Sequence, residues 1–167
     1  NADPEISSAE KQIETNPNSA KENVQLALIY LKRARETGDF SLNSKAENAV
    51  AKALEIEPDN LEARKLKASL HLIFHRASEA LEAAKKLNAE FPNDDFVYGI
   101  LIDANIELGN YKEAAENAQK MVDLKPGVSS YIRVAQLRSL HGDFNGASEM
   151  FKTAVRLADS ADKESQS

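Results

Sequence analysis

Apolar and polar positions in residues 95–127 recur with the period of an α-helix, and one turn interrupts the pattern. Steps of three and four residues place the apolar positions of each stretch on one helical face. Gly109 ends the first stretch, and Pro126 ends the second because proline cannot continue a helix. The pattern therefore predicts a helical hairpin. The positions that share one helical face are Tyr98, Leu101, Ile102 and Asn105 in the first helix and Tyr111, Ala114, Ala115, Ala118 and Met121 in the second.

The hairpin pattern repeats along the chain at a fixed interval of 34 residues. A period of this size indicates stacked copies of one supersecondary unit. It predicts four hairpins, at about residues 19–59, 60–93, 94–127 and 128–159. The interval separates Pro58, Pro92 and Pro126, and it separates Ala46, Ala80 and Ala114, with Ala147 following 33 residues later.

Two hairpins depart from the pattern. The interval from Pro17 to Pro58 is 41 residues, and it predicts four extra residues in the first helix and three in the turn or second helix of the first hairpin. That hairpin should project by about one helical turn of roughly 3.6 residues. In the second hairpin, His75 stands at the turn where the others have glycine, which is tolerable if its φ stays negative.

The ends of the chain differ from the repeats. Residues 5–16 have the composition of a second helix and are predicted to cap the first hairpin. At the other end, Asp159 stands where the earlier repeats have a closing proline, and residues 160–167 are polar without apolar periodicity, as in a frayed tail. We therefore predict a single domain over residues 1–159.

This pattern resembles the tetratricopeptide repeat over residues 19–159. The resemblance implies an all-α fold, an α-α superhelix (solenoid) of about four helical hairpins after an N-terminal capping helix. Residues 30–39 and 130–143 also look like a group of poorly characterised bacterial members, which implies a bacterial source and suggests a truncated array. The matching positions are Leu101, Gly109, Tyr111, Ala114 and Pro126 in the third repeat and Ala135, Gly142, Phe144, Ala147, Phe151 and Ala154 in the fourth.

Members of this family usually bind an extended or helical peptide on a concave face lined by the first helix of each hairpin. Mapped by position, that face is mainly apolar here, which is typical of helix-in-groove binding. The family's basic clamp for carboxylates is not expected, because Lys65 and Arg133 match it while the amides that give selectivity are missing. The predicted binding residues are Val24, Leu28, Leu31, Lys65, Leu66, Ser69, Leu72, Ile100, Asp103, Ile106, Ile132, Arg133 and Gln136.

Composition narrows the function classes. The 167 residues carry a net charge of −6 and include no cysteine. An acidic chain repels nucleic acid, and no apolar run approaches the roughly 20 residues needed to cross a bilayer. His71 and His75 are four residues apart, but without a third ligand they favour a packing role over a metal site. No nucleophile motif or phosphate-binding glycine loop is present, so we expect neither an enzyme nor a cofactor.

The leading hypothesis is a non-enzymatic scaffold that binds a protein or peptide segment in the apolar groove, with Lys65 and Arg133 as orienting charges. The alternative is self-assembly, for example as a homodimer, through the final helix, which offers Met150, Val155 and Leu157 without an obvious cap. A fragment of a longer array would expose the same helix. The compartment stays open, with an exported or periplasmic location favoured over a cytoplasmic one.

Overall fold

The computed structural model describes residues 3–165, with side chains described up to residue 161. This part of the chain is all-α and contains no β-strand. None of its helices combines the length and apolar character needed to cross a membrane. The helices are α1 (Pro4–Thr15), α2 (Ala20–Thr37), α3 (Ser41–Ile56), α4 (Leu61–Ile73), α5 (Ala77–Glu90), α6 (Asp95–Glu107), α7 (Tyr111–Leu124), α8 (Val128–Leu140) and α9 (Phe144–Ser165).

The helices fall into two compact units, one ending at His75 and the other beginning at Arg76. In the first unit, α2 packs on α1 and α3, and α4 packs on α3. In the second unit each helix from α5 to α9 packs on the next, and α6 also touches α8. Both units therefore contain antiparallel helix pairs with short connections, as the repeat pattern predicts.

Small residues let the helices approach closely. Ala46, Ala80 and Ala114 are fully buried, and Ala147 is nearly so. An alanine at this position leaves no bulky side chain between two helices, so their backbones pack at short range. The positions that recur along the sequence are thus core positions, as predicted.

Three of the hairpin turns use a glycine with positive φ: Gly38, Gly109 and Gly142. His75 occupies the same position in the second repeat and adopts φ 56°, the left-handed conformation. The negative φ that would make a residue other than glycine easy to accommodate is therefore not found at this turn. The histidine thus takes the conformation of the turn glycines, at a steric cost of roughly 1–2 kcal/mol.

The first hairpin is longer than the others, as predicted. Helix α2 has 18 residues, whereas α4, α6 and α8 each have 13. Helix α3 has 16, whereas α5 and α7 have 14. The insertion therefore adds five residues to α2 and two to α3, and it leaves the turn at three residues. The turn keeps its length because Gly38 caps α2 and the Asp39 carboxylate accepts hydrogen bonds from Ser41.

Helix α1 caps the first unit. Ala9 is buried, and Ile6 and Ile13 pack against the core of that unit. At the surface, the guanidinium of Arg33 on α2 pairs with Asp3 at 2.7 Å and with Glu5 at 2.8 Å. The predicted capping helix is thus held by apolar burial and by the half-buried ion pairs of Arg33 beside it.

Helix α9 continues beyond the predicted end of the fourth repeat. It runs past Asp159 to Ser165, so residues 160–165 continue the second helix of the fourth repeat. The segment contains no proline or glycine to stop the helix, and its alanine is a strong helix former. Residues 166–167 of the predicted tail lie outside the described part of the chain.

Candidate functional site

The predicted binding residues of the first unit lie on α2 and α4. Val24, Leu31 and Leu66 are buried and belong to the hydrophobic core of this unit. Their assignment to an accessible groove is therefore wrong, because the apolar stripe of each first helix also faces its neighbours in the core. Leu28 is exposed, and Leu72 is half-buried.

Lys65 is positioned by its own helix. Its side chain is largely covered, and its Nζ lies 3.3 Å from Oε1 of Glu62, one turn earlier on α4. Ser69, one turn later, is half-buried. Because its charge is already paired, Lys65 is a weaker orienting cation for a ligand than the sequence suggests.

In the second unit, the predicted residues of α6 and α8 come together. They line an open cavity of about 380 Å³ between the two helices. Glu107 also lines it and was not predicted from the sequence, although it stands one helical turn after Asp103 on the same face. We call this region the α6–α8 surface. It consists of Asp103, Ile106, Glu107, Ile132, Arg133 and Gln136.

Arg133 fastens α8 to α6. Its Nε donates to Oδ1 of Asp103 at 2.9 Å, and its Nη2 donates to Oδ2 at 2.6 Å. Its Nη1 donates to the Ser129 hydroxyl at 2.6 Å. This two-pronged pair is the strong form of an arginine–carboxylate contact. Each guanidinium nitrogen thus donates a hydrogen bond within the chain. Arg133 links α8 to α6 and is not free to orient a ligand.

Gly99 leaves space for the guanidinium of Arg133. A Cβ at Gly99 would lie only 3.0 Å from Nη2 of Arg133, so the absence of a side chain lets the guanidinium lie across α6. The next residue, Ile100, is only 4% exposed. Its prediction as a groove residue is wrong because it faces the core of the second unit.

Three positions of the α6–α8 surface remain available to a ligand. Ile132 is exposed and Ile106 half-buried, so together they form an apolar floor. Gln136 is exposed one turn beyond Ile132, and its amide can both donate and accept hydrogen bonds. An apolar floor with a neighbouring amide suits one apolar side chain of a peptide and the backbone beside it.

The histidines have separate roles. His71 lies in the last turn of α4, and His75 forms the turn that follows. Across residues 3–161, no three His, Cys, Asp or Glu side chains cluster as a metal site would require. Nδ1 of His141 lies 2.8 Å from the Leu137 carbonyl in the last turn of α8. Its ring also meets Tyr111 edge to face.

The sequence matches no protein-family model and no curated protein. Solved structures, however, are similar to it. A tetratricopeptide repeat protein from Parabacteroides merdae ATCC 43184 superposes with a TM-score of 0.77 at 19% identity, over 91% of this chain and 57% of that one. TTC0263, a thermophilic TPR protein of Thermus thermophilus, gives 0.73 at 20% identity, over 84% and 75%. MamA from Desulfovibrio magneticus RS-1 gives 0.68 at 20% identity, over 93% and 84%.

These similarities confirm the predicted fold class, an all-α array of about four helical hairpins behind a capping helix. The sequence identities are low, yet the matches extend over most of the chain. The recurring alanines and turn glycines occupy the buried and left-handed positions that the repeat pattern requires. The protein therefore has the tetratricopeptide-repeat fold.

Proposed function

We propose that this protein is a non-enzymatic scaffold that binds a segment of another protein on the α6–α8 surface. The observation that carries the proposal is the convergence of five predicted binding residues on one open cavity. A groove between two helices with an apolar floor and polar sides suits an amphipathic segment that inserts side chains at helical spacing. The tetratricopeptide-repeat fold supports the same class of function.

The residues available on this surface suggest the chemistry of the partner. Ile106 and Ile132 would accept an apolar side chain, and Gln136 would hydrogen bond to the backbone or to a polar side chain next to it. The guanidinium of Arg133 already pairs with Asp103, which argues against capture of a carboxylate. Because the chain carries a net charge of −6, we propose a neutral or basic amphipathic segment.

Binding can be tested with peptides selected from a random library on the wild-type protein. Ile132→Glu should weaken the selected peptides by about tenfold or more, or about 1.4 kcal/mol, because it places a carboxylate in the apolar contact. Leu124→Glu on α7 is a matched control, since Leu124 is 39% and Ile132 42% exposed. Titration calorimetry measures both variants.

The control decides the interpretation. The proposal requires Leu124→Glu to bind like the wild type. Equal loss in both variants would mean that charge, rather than the α6–α8 surface, controls binding. Unchanged affinity in Ile132→Glu would place the binding site elsewhere.

A further inference from the structure

A second apolar region lies on the last helix of the second unit. Phe144 is 70% exposed and Val155 58%, and Phe151 lies between them on the same face of α9. They border a cavity of about 750 Å³, twice the size of the one on the α6–α8 surface. We call Phe144, Ser148, Phe151 and Val155 the α9 surface. Exposed apolar residues at helical spacing mark an interaction site.

The earlier repeats show that the position of Phe151 is normally covered. Val50, Ala84 and Ala118 occupy it at intervals of 34 residues, and they are at most 3% exposed, whereas Phe151 is 44% exposed. In those repeats the second helix packs against the first helix of the next hairpin. Phe151 matches the repeat pattern of the sequence, but in the structure its side chain is not covered as those of the earlier repeats are. The α9 surface is therefore a packing face that nothing in the described chain covers.

We propose that the α9 surface pairs with the same surface of a second copy, in a symmetric dimer with the two α9 helices antiparallel. A two-fold interface needs a surface that complements itself when reversed. If the helices are aligned at Phe151, Phe144 of each copy falls level with the small Ala158, and Val155 falls within one residue of the level of Ser148. The two Phe151 rings meet at the two-fold axis, where aromatic pairs add about 0.5–1.5 kcal/mol beyond their burial.

The charges beside the apolar face follow the same symmetry. Glu149 and Lys152 lie on one flank of α9, and their side chains pair with each other across one helical turn. In the antiparallel arrangement, Glu149 of each copy lies within one residue of the level of Lys152 of the partner subunit. Complementary charges of this kind fix the register of an interface more than its strength.

Helix α1, the first helix of the chain, offers no matching apolar face. Its outer side presents Ser8, Lys11, Gln12 and Thr15, which are all polar. A head-to-tail contact would bury Phe151 against these groups and remove them from water without apolar compensation. Pairing of two α9 surfaces is the arrangement that the described chemistry favours. It does not depend on ligand binding at the α6–α8 surface.

Light scattering coupled to size-exclusion chromatography tests the dimer. The wild-type chain should show twice the monomer mass of 18.3 kDa and dissociate on dilution. Phe144→Glu and Phe151→Glu should each be monomeric, with helical circular dichroism retained. Phe40→Glu is the matched control, because Phe40 is 70% exposed and follows a Gly-Asp turn as Phe144 does. The proposal fails if the wild type is monomeric throughout or if Phe40→Glu dissociates it equally.

Cross-linking tests the orientation. The chain has no cysteine, so a single substituted thiol reports one position. Lys152→Cys lies near the proposed two-fold axis and should give a dimer with a short bismaleimide. Lys86→Cys on α5 should not, although the two lysines are similarly exposed, 65% and 68%. Equal cross-linking at both positions, or none at Lys152→Cys, would overturn the antiparallel arrangement.

Discussion

Tyr30 shows how one side chain joins α1 to the first hairpin. It is almost fully buried, and its hydroxyl donates a hydrogen bond of 2.7 Å to Oε1 of Glu10. Burial, this hydrogen bond and the negative charge of Glu10 raise the pKa of the Tyr30 phenol from 10.0 to about 12. The folded protein therefore holds this proton more tightly than the unfolded chain does.

A raised pKa predicts a loss of stability in alkaline solution. The contribution of Tyr30 is fully present below pH 10.0 and is lost as the pH rises toward about 12. Tyr30→Phe should therefore lose less stability than the wild type over this interval, as measured by urea denaturation. Glu10→Gln keeps a hydrogen-bond acceptor but removes the charge. Its loss of stability should therefore lie between those of the wild type and Tyr30→Phe. An equally steep loss in Tyr30→Phe would contradict the assignment.

At the scale of helices, the Arg133–Asp103 pair determines how α8 sits on α6. Gly99 is unusual within this contact because glycine in a helix interior costs about 1 kcal/mol relative to alanine. The guanidinium of Arg133 occupies the space that a side chain at Gly99 would need. Gly99 therefore gives space to the Arg133–Asp103 pair, and its backbone freedom is not used within the helix.

Two substitutions separate these effects. In the wild type, Gly99→Ala should give little or no gain in stability, because the new Cβ displaces the guanidinium from Asp103. In an Arg133→Leu background the same change should stabilise by about 1 kcal/mol through helix propensity. Chemical denaturation of the double-mutant cycle measures the coupling. Equal effects of Gly99→Ala in both backgrounds would show that the two residues are independent.

Across the described residues, most of the exposed large apolar side chains lie in the second unit. Three of the seven predicted groove residues of the first unit, Val24, Leu31 and Leu66, are core residues, whereas the α6–α8 surface and the α9 surface are open. These two surfaces share no residue. One is proposed to bind a segment of another protein and the other to bind a second copy, so both can be occupied together.

The separation of the two surfaces predicts independent effects. Ile132→Glu should leave the dimer intact, and Phe151→Glu should leave the affinity for a selected peptide within about twofold of the wild type. Distant sites without shared partners are additive within about 0.5 kcal/mol, so a double variant should lose both properties without further loss. Calorimetry and light scattering on all three variants measure this. A weaker dimer in Ile132→Glu would show that the surfaces are coupled.

The sequence by itself determined the repeat and its local details. The 34-residue period, the turn glycines and the longer first hairpin were predicted because each depends on spacing and local backbone preference. The positive φ of His75 was not predicted, because a residue other than glycine rarely adopts the left-handed conformation.

Only the tertiary structure decided which positions remain accessible. Helical periodicity tells which residues share a face but not what that face contacts, so Val24 and Ile100 were predicted to be accessible and are buried. Arg133 was predicted to contact a ligand, but its guanidinium pairs with the carboxylate of Asp103, which is 30 residues earlier in the sequence. Phe151 matches the repeat pattern, yet its face of α9 has no following helix in the described chain and stays exposed. Each difference depends on contacts between distant segments, which local spacing does not encode.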